Sequence, residues 1–210
     1  MDPYKETHNT WNTIAELYEK YFMELDLYND TYRSFCAKIP QTNPEILEIG
    51  CGPGNITKHV LKNRPDFKLV GIDVSKNMIT LAQKNNPNAT FKVMDCRYID
   101  TFTNLFNGIM VGFCLPYLSK NDGAIFIQNC SNLLSKKGIL YLSFIESDMH
   151  YSKYTTGING EGMLFHYYAL NDLKKIFINN QLQITQTTHK NYTTKDGIIE
   201  IHTILILEKQ

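Results

Sequence analysis

The sequence predicts an α/β protein built on a doubly wound, seven-stranded and mostly parallel sheet, with an antiparallel last strand and an N-terminal helical cap. Three observations predict it. From Pro44 onward, short apolar runs alternate with amphipathic segments. The first run ends in a glycine-rich turn that opens a helix. The chain closes with two long β patterns joined across Asp196-Gly197, a hairpin signal that reverses the final strand.

Residues 8–38 place Trp11, Ile14, Ala15, Tyr18, Phe22 and Leu25, then Tyr28, Tyr32, Phe35 and Cys36, at helical spacing. They predict two helices broken near Tyr28-Asn29-Asp30, followed by a linker at Pro40–Pro44. Candidate strands follow at 45–49, 68–73, 90–94, 108–114 and 139–145, with helices at 56–62, 76–86 and 124–134. Ser75 is placed to cap the second of these helices. A further helix is expected at 172–179 with Asn171 as its cap, then strands at 183–192 and 198–207.

A chain of 210 residues fits one domain, 1–210, with residues 1–43 as the helical cap and 44–210 as the core. Lys plus Arg (21) balance Asp plus Glu (21), so the basic excess that phosphate binding requires is missing and nucleic acid is a disfavoured partner. The cysteines, Cys36, Cys51, Cys96, Cys114 and Cys130, are odd in number and form no C-x-x-C. Reduced thiols in a cytoplasm are the expectation. The polar N-terminus does not read as a signal peptide, and no apolar run approaches the ~20 residues of a membrane span. No motif indicates an oligomeric state.

Glu45-Ile46-Leu47-Glu48-Ile49 reads as a buried strand leading into Gly50-Cys51-Gly52-Pro53-Gly54. Such a turn lets backbone approach a ligand closely and aims the N–H groups of the next helix at it. Asp73 ends the following strand, where a carboxylate can accept the two hydroxyls of a ribose. A dinucleotide site wants G-x-G-x-x-G to admit a pyrophosphate. Here the spacing is G-x-G-x-G, and Asn55 stands at the third glycine's place. A nucleoside without a pyrophosphate fits better, with a NAD-type oxidoreductase as the rival.

Glu48–Gly54 resembles motif I of the class I, Rossmann-like S-adenosylmethionine-dependent methyltransferases, of the small-molecule type. Val70-Gly71-Ile72-Asp73-Val74-Ser75 resembles their second-strand motif, and Val93-Met94-Asp95-Cys96 the third. Trp11-Asn12-x-x-Ala15-x-x-Tyr18 resembles the helix that closes over the cofactor. The resemblance implies that S-adenosyl-L-methionine is held by Tyr18, Glu48, Gly50, Cys51, Gly52, Gly54, Asp73, Val74, Met78, Asp95, Cys96 and Phe113. Of these, Asp73 would take the ribose, Met78 would pack on the adenine, and Asp95 and Cys96 would address its edge. A protein that keeps the pocket without turnover is the other rival.

Methyl transfer needs a nucleophile in line with the sulfonium carbon, and a general base is optional. The fourth strand ends in Phe113-Cys114-Leu115-Pro116-Tyr117, without the polar residue that precedes the proline in enzymes acting on nucleobase amines. Phe113 and Tyr117 are expected to shape an apolar wall, and Cys114 to be a small buried hydrophobe. Segment 148–168, rich in Tyr, His and Gly, reads as a substrate lid. Within it His166 and His150 are the acid–base candidates, since a neutral imidazole can take a proton near pH 7. Tyr151, Tyr154 and Tyr168 join Tyr117 as candidate contacts to a small-molecule acceptor, and Glu146 is a further candidate. No metal-binding motif is present in the sequence.

Overall fold

The computed structural model describes residues 2–147, 162–194 and 196–210, together with the backbone of 152–156. Three helices precede the sheet: α1 (Lys5–Thr13), α2 (Ala15–Phe22) and α3 (Asn29–Ala37). The expected first helix is two, because the chain leaves helical geometry at Ile14 (φ −90°, ψ 7°), after the β-branched Thr13. The core then runs β1 (Glu45–Ile49), α4 (Asn55–Asn63), β2 (Lys68–Asp73), α5 (Lys76–Asn85), β3 (Thr90–Val93), β4 (Phe106–Gly112), α6 (Lys120–Leu133) and β5 (Leu134–Ile145). It continues with β6 (Ser152–Thr156), β7 (Gly162–His166), α7 (Leu170–Asn179), β8 (Leu182–Thr193) and β9 (Ile199–Lys209).

Seven strands form one sheet in the order β3-β2-β1-β4-β5-β9-β8. Only β9 runs antiparallel to its neighbours, so the doubly wound, mostly parallel sheet with a reversed last strand is as expected. Alternation along the strands sends side chains to two cores. Leu47, Ile49, Ile109, Val111, Leu140, Leu142, Leu205 and Leu207 pack with Phe126 and Ile127 of α6 and Leu173 and Phe177 of α7. Ile46, Met110, Ile139, Tyr141, Ile204 and Ile206 pack with Tyr32 and Phe35 of α3 and Ile56 and Val60 of α4.

Three local readings change. Strand β5 begins at Leu134 rather than Ile139; Leu134 pairs with Phe106 before the register shifts, and Lys137 takes a positive φ of 63°. Helix α7 starts at Leu170, with Ala169 extended in front of it, so Asn171 lies inside the first turn and is not its cap. Segment 148–168 is not simply a connection: β6 and β7 pair as an antiparallel hairpin, Ser152 opposite His166. The capping role of Ser75 is observed, its hydroxyl accepting from the Met78 N–H at 3.1 Å.

The N-terminal helices are tied to the carboxyl ends of the strands. Asn12 Oδ1 accepts from Ser75 Oγ and the Asn77 N–H, both at 3.1 Å, which seats α1 on the β2–α5 turn. Thr10 Oγ1 donates to the Gly162 carbonyl at 2.8 Å, which fixes β7 against α1. Asn85 donates to Glu19 of α2 and to the Pro53 carbonyl of the glycine turn. Among the described residues, no helix is long and apolar enough to cross a membrane.

Candidate cofactor and acceptor cavity

Strand order reverses at β1, which has β2 on one side and β4 on the other. That switch point is where open α/β sheets leave a crevice at the strands' carboxyl ends. A cavity of about 380 Å³ opens there, under α1 and α2.

The floor is the glycine turn. Gly50, Gly52 and Gly54 have φ of 69°, 54° and 83°, values that side chains rarely tolerate. A Cβ on Gly50 would also lie 3.1 Å from Cys114 Cβ, so the turn is as close to the β4 exit as backbone allows. Gly50 and Gly52 line the cavity; Gly54 lies beyond it, packed against Asn86 at the start of α4. Cys51 is buried beneath the turn, and its N–H and that of Gly50 donate to the Ile72 carbonyl at 3.0 and 2.9 Å.

Asp73 faces this floor. Its Oδ2 accepts the Gly52 N–H at 3.0 Å and its Oδ1 the Ser75 N–H at 2.8 Å. Burial raises its carboxyl pKa, while the N–H donors of Ser75, Gly52 and Val74 pull it down. These donors leave part of the carboxylate's accepting capacity for a ligand. Val74, Met78 and Cys96 continue the wall from Asp73, and Tyr18 covers it, with a hydroxyl that burial pushes up to about 12.

Two cofactor candidates are engaged elsewhere. Glu48 is fully buried on β1, where its Oε2 accepts from Thr57 Oγ1 at 2.5 Å and its Oε1 has no partner. Burial raises it to about 8, which favours the protonated carboxyl at pH 7. Asp95 is held by Arg97, whose Nη2 lies 2.6 Å from Oδ2 and whose backbone N–H donates to Oδ1 at 2.9 Å. His8 reaches the same carboxylate at 3.8 Å and itself lines the cavity.

On the acceptor side, Phe113 and Tyr117 line the cavity. Trp11 and Phe165 meet the Tyr117 ring edge-on, at 5.2 and 5.6 Å. Tyr168 is buried away from the space, and its hydroxyl donates to the Leu118 and Ser119 carbonyls. His166 is buried on β7 and does not line the cavity, although Met163 and Phe165 of the same strand do. Burial, first, and the Lys120 charge lower its pKa and keep the ring neutral. His150 and Tyr151 lie outside the described residues, as does the Tyr154 side chain. Glu146 accepts from Thr203 Oγ1 at 2.5 Å on β9.

The cavity also gathers residues that the sequence reading passed over: Tyr28, Tyr32, Tyr192, Glu200 and His202. The signal for the last two was available. Glu200 and His202 share the alternation parity of Ile204 and Ile206, the face of β9 that packs toward α3 and α4.

Residues 46–138, the span that holds the glycine turn, Asp73 and Asp95, match the methyltransferase domain family. Over this span the chain is similar to methyltransferase domains. Sequence relatives agree: a protein named as a methyltransferase in Invertebrate iridescent virus 6 is 30% identical over 101 residues, 48% of this chain and 37% of that one. The chain thus spans little more than a third of that relative's length. An uncharacterized methyltransferase of Alkaliphilus oremlandii is 23% identical over 215 residues, covering 94% of this chain and 97% of the relative. Among solved structures, the 1,6-didemethyltoxoflavin-N1-methyltransferase of Burkholderia thailandensis has a TM-score of 0.74 at 13% identity, over 98% of this chain and 88% of that one. That structure contains S-adenosylhomocysteine and its acceptor. The crevice at the β1 switch point is therefore the candidate cofactor site.

Proposed function

We propose that the protein transfers a methyl group from S-adenosylmethionine to an oxygen or nitrogen of a small acceptor. The observation that carries this reading is Asp73, a half-buried carboxylate on the carboxyl end of β2, beside a glycine turn and open to an aromatic cavity. Its two oxygens suit the ribose diol, and Val74, Met78 and Cys96 suit the flat adenine. The cofactor's sulfonium is a cation that aromatic faces attract, and Tyr18, Trp11 and Tyr117 supply them. Glu48 beneath the turn does not line the cavity, and Asp73 does.

The resident residues' work is to bind and align. The cofactor, when bound, supplies an electrophilic methyl; the chain's part is to hold an acceptor in line and exclude water. An acceptor of small size is supported by the volume of the space and by the β6–β7 hairpin, whose Met163 and Phe165 close its outer side. We place residues 1–43 as the cap, 148–168 as the acceptor-side cover and the cytoplasm, where the thiols stay reduced, as the compartment. The small acceptor bound by the Burkholderia enzyme and the equal numbers of acidic and basic residues support a metabolite over a nucleic acid.

Thermal shift with S-adenosylhomocysteine and with NAD tests the reading. Stabilisation by the first is expected, and stabilisation by NAD alone refutes it. Transfer of a radiolabelled methyl to a panel of phenols, amines and carboxylates separates an enzyme from a binding protein without turnover.

A further inference from the structure

The cavity has a second polar locus, at the opposite end from Asp73. His202 of β9 lies between two tyrosine rings, nearly parallel to both: Tyr28, from the link between α2 and α3, at 6.0 Å and 15°, and Tyr192 of β8 at 4.9 Å and 14°. Its Nδ1 is 2.6 Å from Tyr28 Oη, and its Nε2 is 3.3 Å from Glu200 Oε2. Because a carboxylate only accepts, Nε2 carries the ring proton and donates to Glu200. Nδ1 then accepts from the Tyr28 hydroxyl. The three groups form one directed chain, Tyr28 to His202 to Glu200, and all three line the cavity.

Its position matters as much as its bonding. Phe113, immediately past the carboxyl end of β4, packs on both rings, 4.8 Å from His202 and 5.3 Å from Tyr28. Phe113 is held in a left-handed conformation (φ 53°), its N–H donating to Ser143 Oγ at 3.0 Å. Sheet order carries the cavity from β2, with Asp73, across β1, β4 and β5 to β9, with His202. A ligand on Asp73 therefore extends along the sheet toward the tyrosine–histidine pair.

We infer that this end is the acceptor subsite, that it takes a neutral planar molecule bearing an aromatic hydroxyl, and that Tyr28 removes the hydroxyl proton through His202 and Glu200. This rests on the methyltransferase reading above and names the substrate class of the same site. Three observations select the class. Among the described residues lining the cavity there is no lysine or arginine, and Glu200 stands at this end, so a carboxylate would meet repulsion without a counter-charge. The walls are rings: Tyr28, Phe113, Trp11, Tyr117 and Phe165. A neutral amine attacks without prior deprotonation, whereas a hydroxyl gains most from a base, and a base is what the chain provides.

The step balances. The acceptor's O–H proton passes to Tyr28 Oη as the tyrosine's own proton passes to His202 Nδ1. The acceptor oxygen's electron pair forms the bond to the methyl carbon, and the C–S pair stays on the leaving sulfur. The imidazolium that results is stabilised by Glu200 at Nε2–H. Burial raises the Tyr28 hydroxyl well above its ordinary range, which favours concerted transfer over a resting phenolate. Tyr28 is the catalytic residue here; His202 and Glu200 act through it.

The test uses the whole chain and three probes with one ring system: 2-naphthol, 2-naphthoate and 2-naphthylmethylamine. Trp11, the single tryptophan, lines the cavity and reports binding by fluorescence. Protein loaded with S-adenosylhomocysteine should be quenched by 2-naphthol and not by 2-naphthoate. Radiolabelled methyl should reach 2-naphthol, and Tyr28→Phe should slow that transfer about 10²–10⁴-fold while retaining naphthol quenching and S-adenosylhomocysteine affinity. His202→Gln should slow the same transfer while leaving the KM for 2-naphthol unchanged. Lys190, the register partner of His202, is paired to Asp30 at 2.8 Å. Quenching by naphthoate equal to that by naphthol overturns the proposal. So does a protein that binds both ligands and methylates no naphthol, or wild-type rates in both variants. Failure to bind S-adenosylhomocysteine at all refutes instead the cofactor reading beneath it.

Discussion

Replacing Glu48 by Gln tests the electrostatics under the glycine turn. The carboxyl is fully buried, its Oε2 bonded to Thr57 and its Oε1 unpartnered, and burial lifts its pKa from 4.5 to about 8. Between these values the unfolded chain is ionised at this position while the folded chain is protonated. The folded state then holds the extra proton, so the stability due to this group is complete below about 4.5 and is lost as pH rises through 8. At about 1.4 kcal/mol per pH unit, the loss between pH 5 and pH 8 is on the order of 3 kcal/mol. Glutamine has nearly the same shape, still accepts from Thr57, and does not titrate. Urea unfolding of both proteins at pH 5, 6, 7 and 8 measures the difference, in which all other titrations cancel. The variant should gain on the wild type by about 3 kcal/mol across that range. Parallel stability curves would show that Glu48 is ionised in the folded protein and that the burial argument is wrong.

Asp73→Ala should weaken S-adenosylhomocysteine binding by about 1–3 kcal/mol, the cost of unpaired buried hydroxyls, read by isothermal titration; unchanged affinity would displace the ribose from this carboxylate. Gly108→Ala should cost about 1–3 kcal/mol in urea unfolding. Its Cβ would lie 2.6 Å from Ile39 Cδ1 and 2.7 Å from Phe35 Cζ, where α3 packs on β4. Tyr168→Phe removes the donor to the Leu118 and Ser119 carbonyls and should lower stability by about 1 kcal/mol or more in the same assay.

The centre of the sheet was readable from the sequence because β1, β4 and β5 are largely buried on both faces. Continuous runs such as Ile109–Val111 belong where both faces are covered, and the turn chemistry of Gly50–Gly54 and Asp196-Gly197 is local. Segment 148–168 was harder: β6 and β7 form a separate two-stranded sheet rather than extending the main one, and their lengths and composition resemble a loop. The start of β5 at Leu134 depends on pairing with Phe106, a contact that no neighbour in sequence encodes.

The cofactor end and the acceptor end differ in the same way. By itself the sequence determined the α/β class, the glycine turn and the placement of Asp73 at the end of the following strand. These features follow from short-range spacing, because a parallel strand, a turn and a helix are consecutive in the chain. Only the tertiary structure decided that His202 and Tyr28, 174 positions apart, share a hydrogen bond. It also decided that His166 is buried outside the cavity while Met163 and Phe165 of the same strand line it. The physical reason is that which face of a late strand meets the crevice depends on sheet order and register, set by packing between elements far apart in the chain.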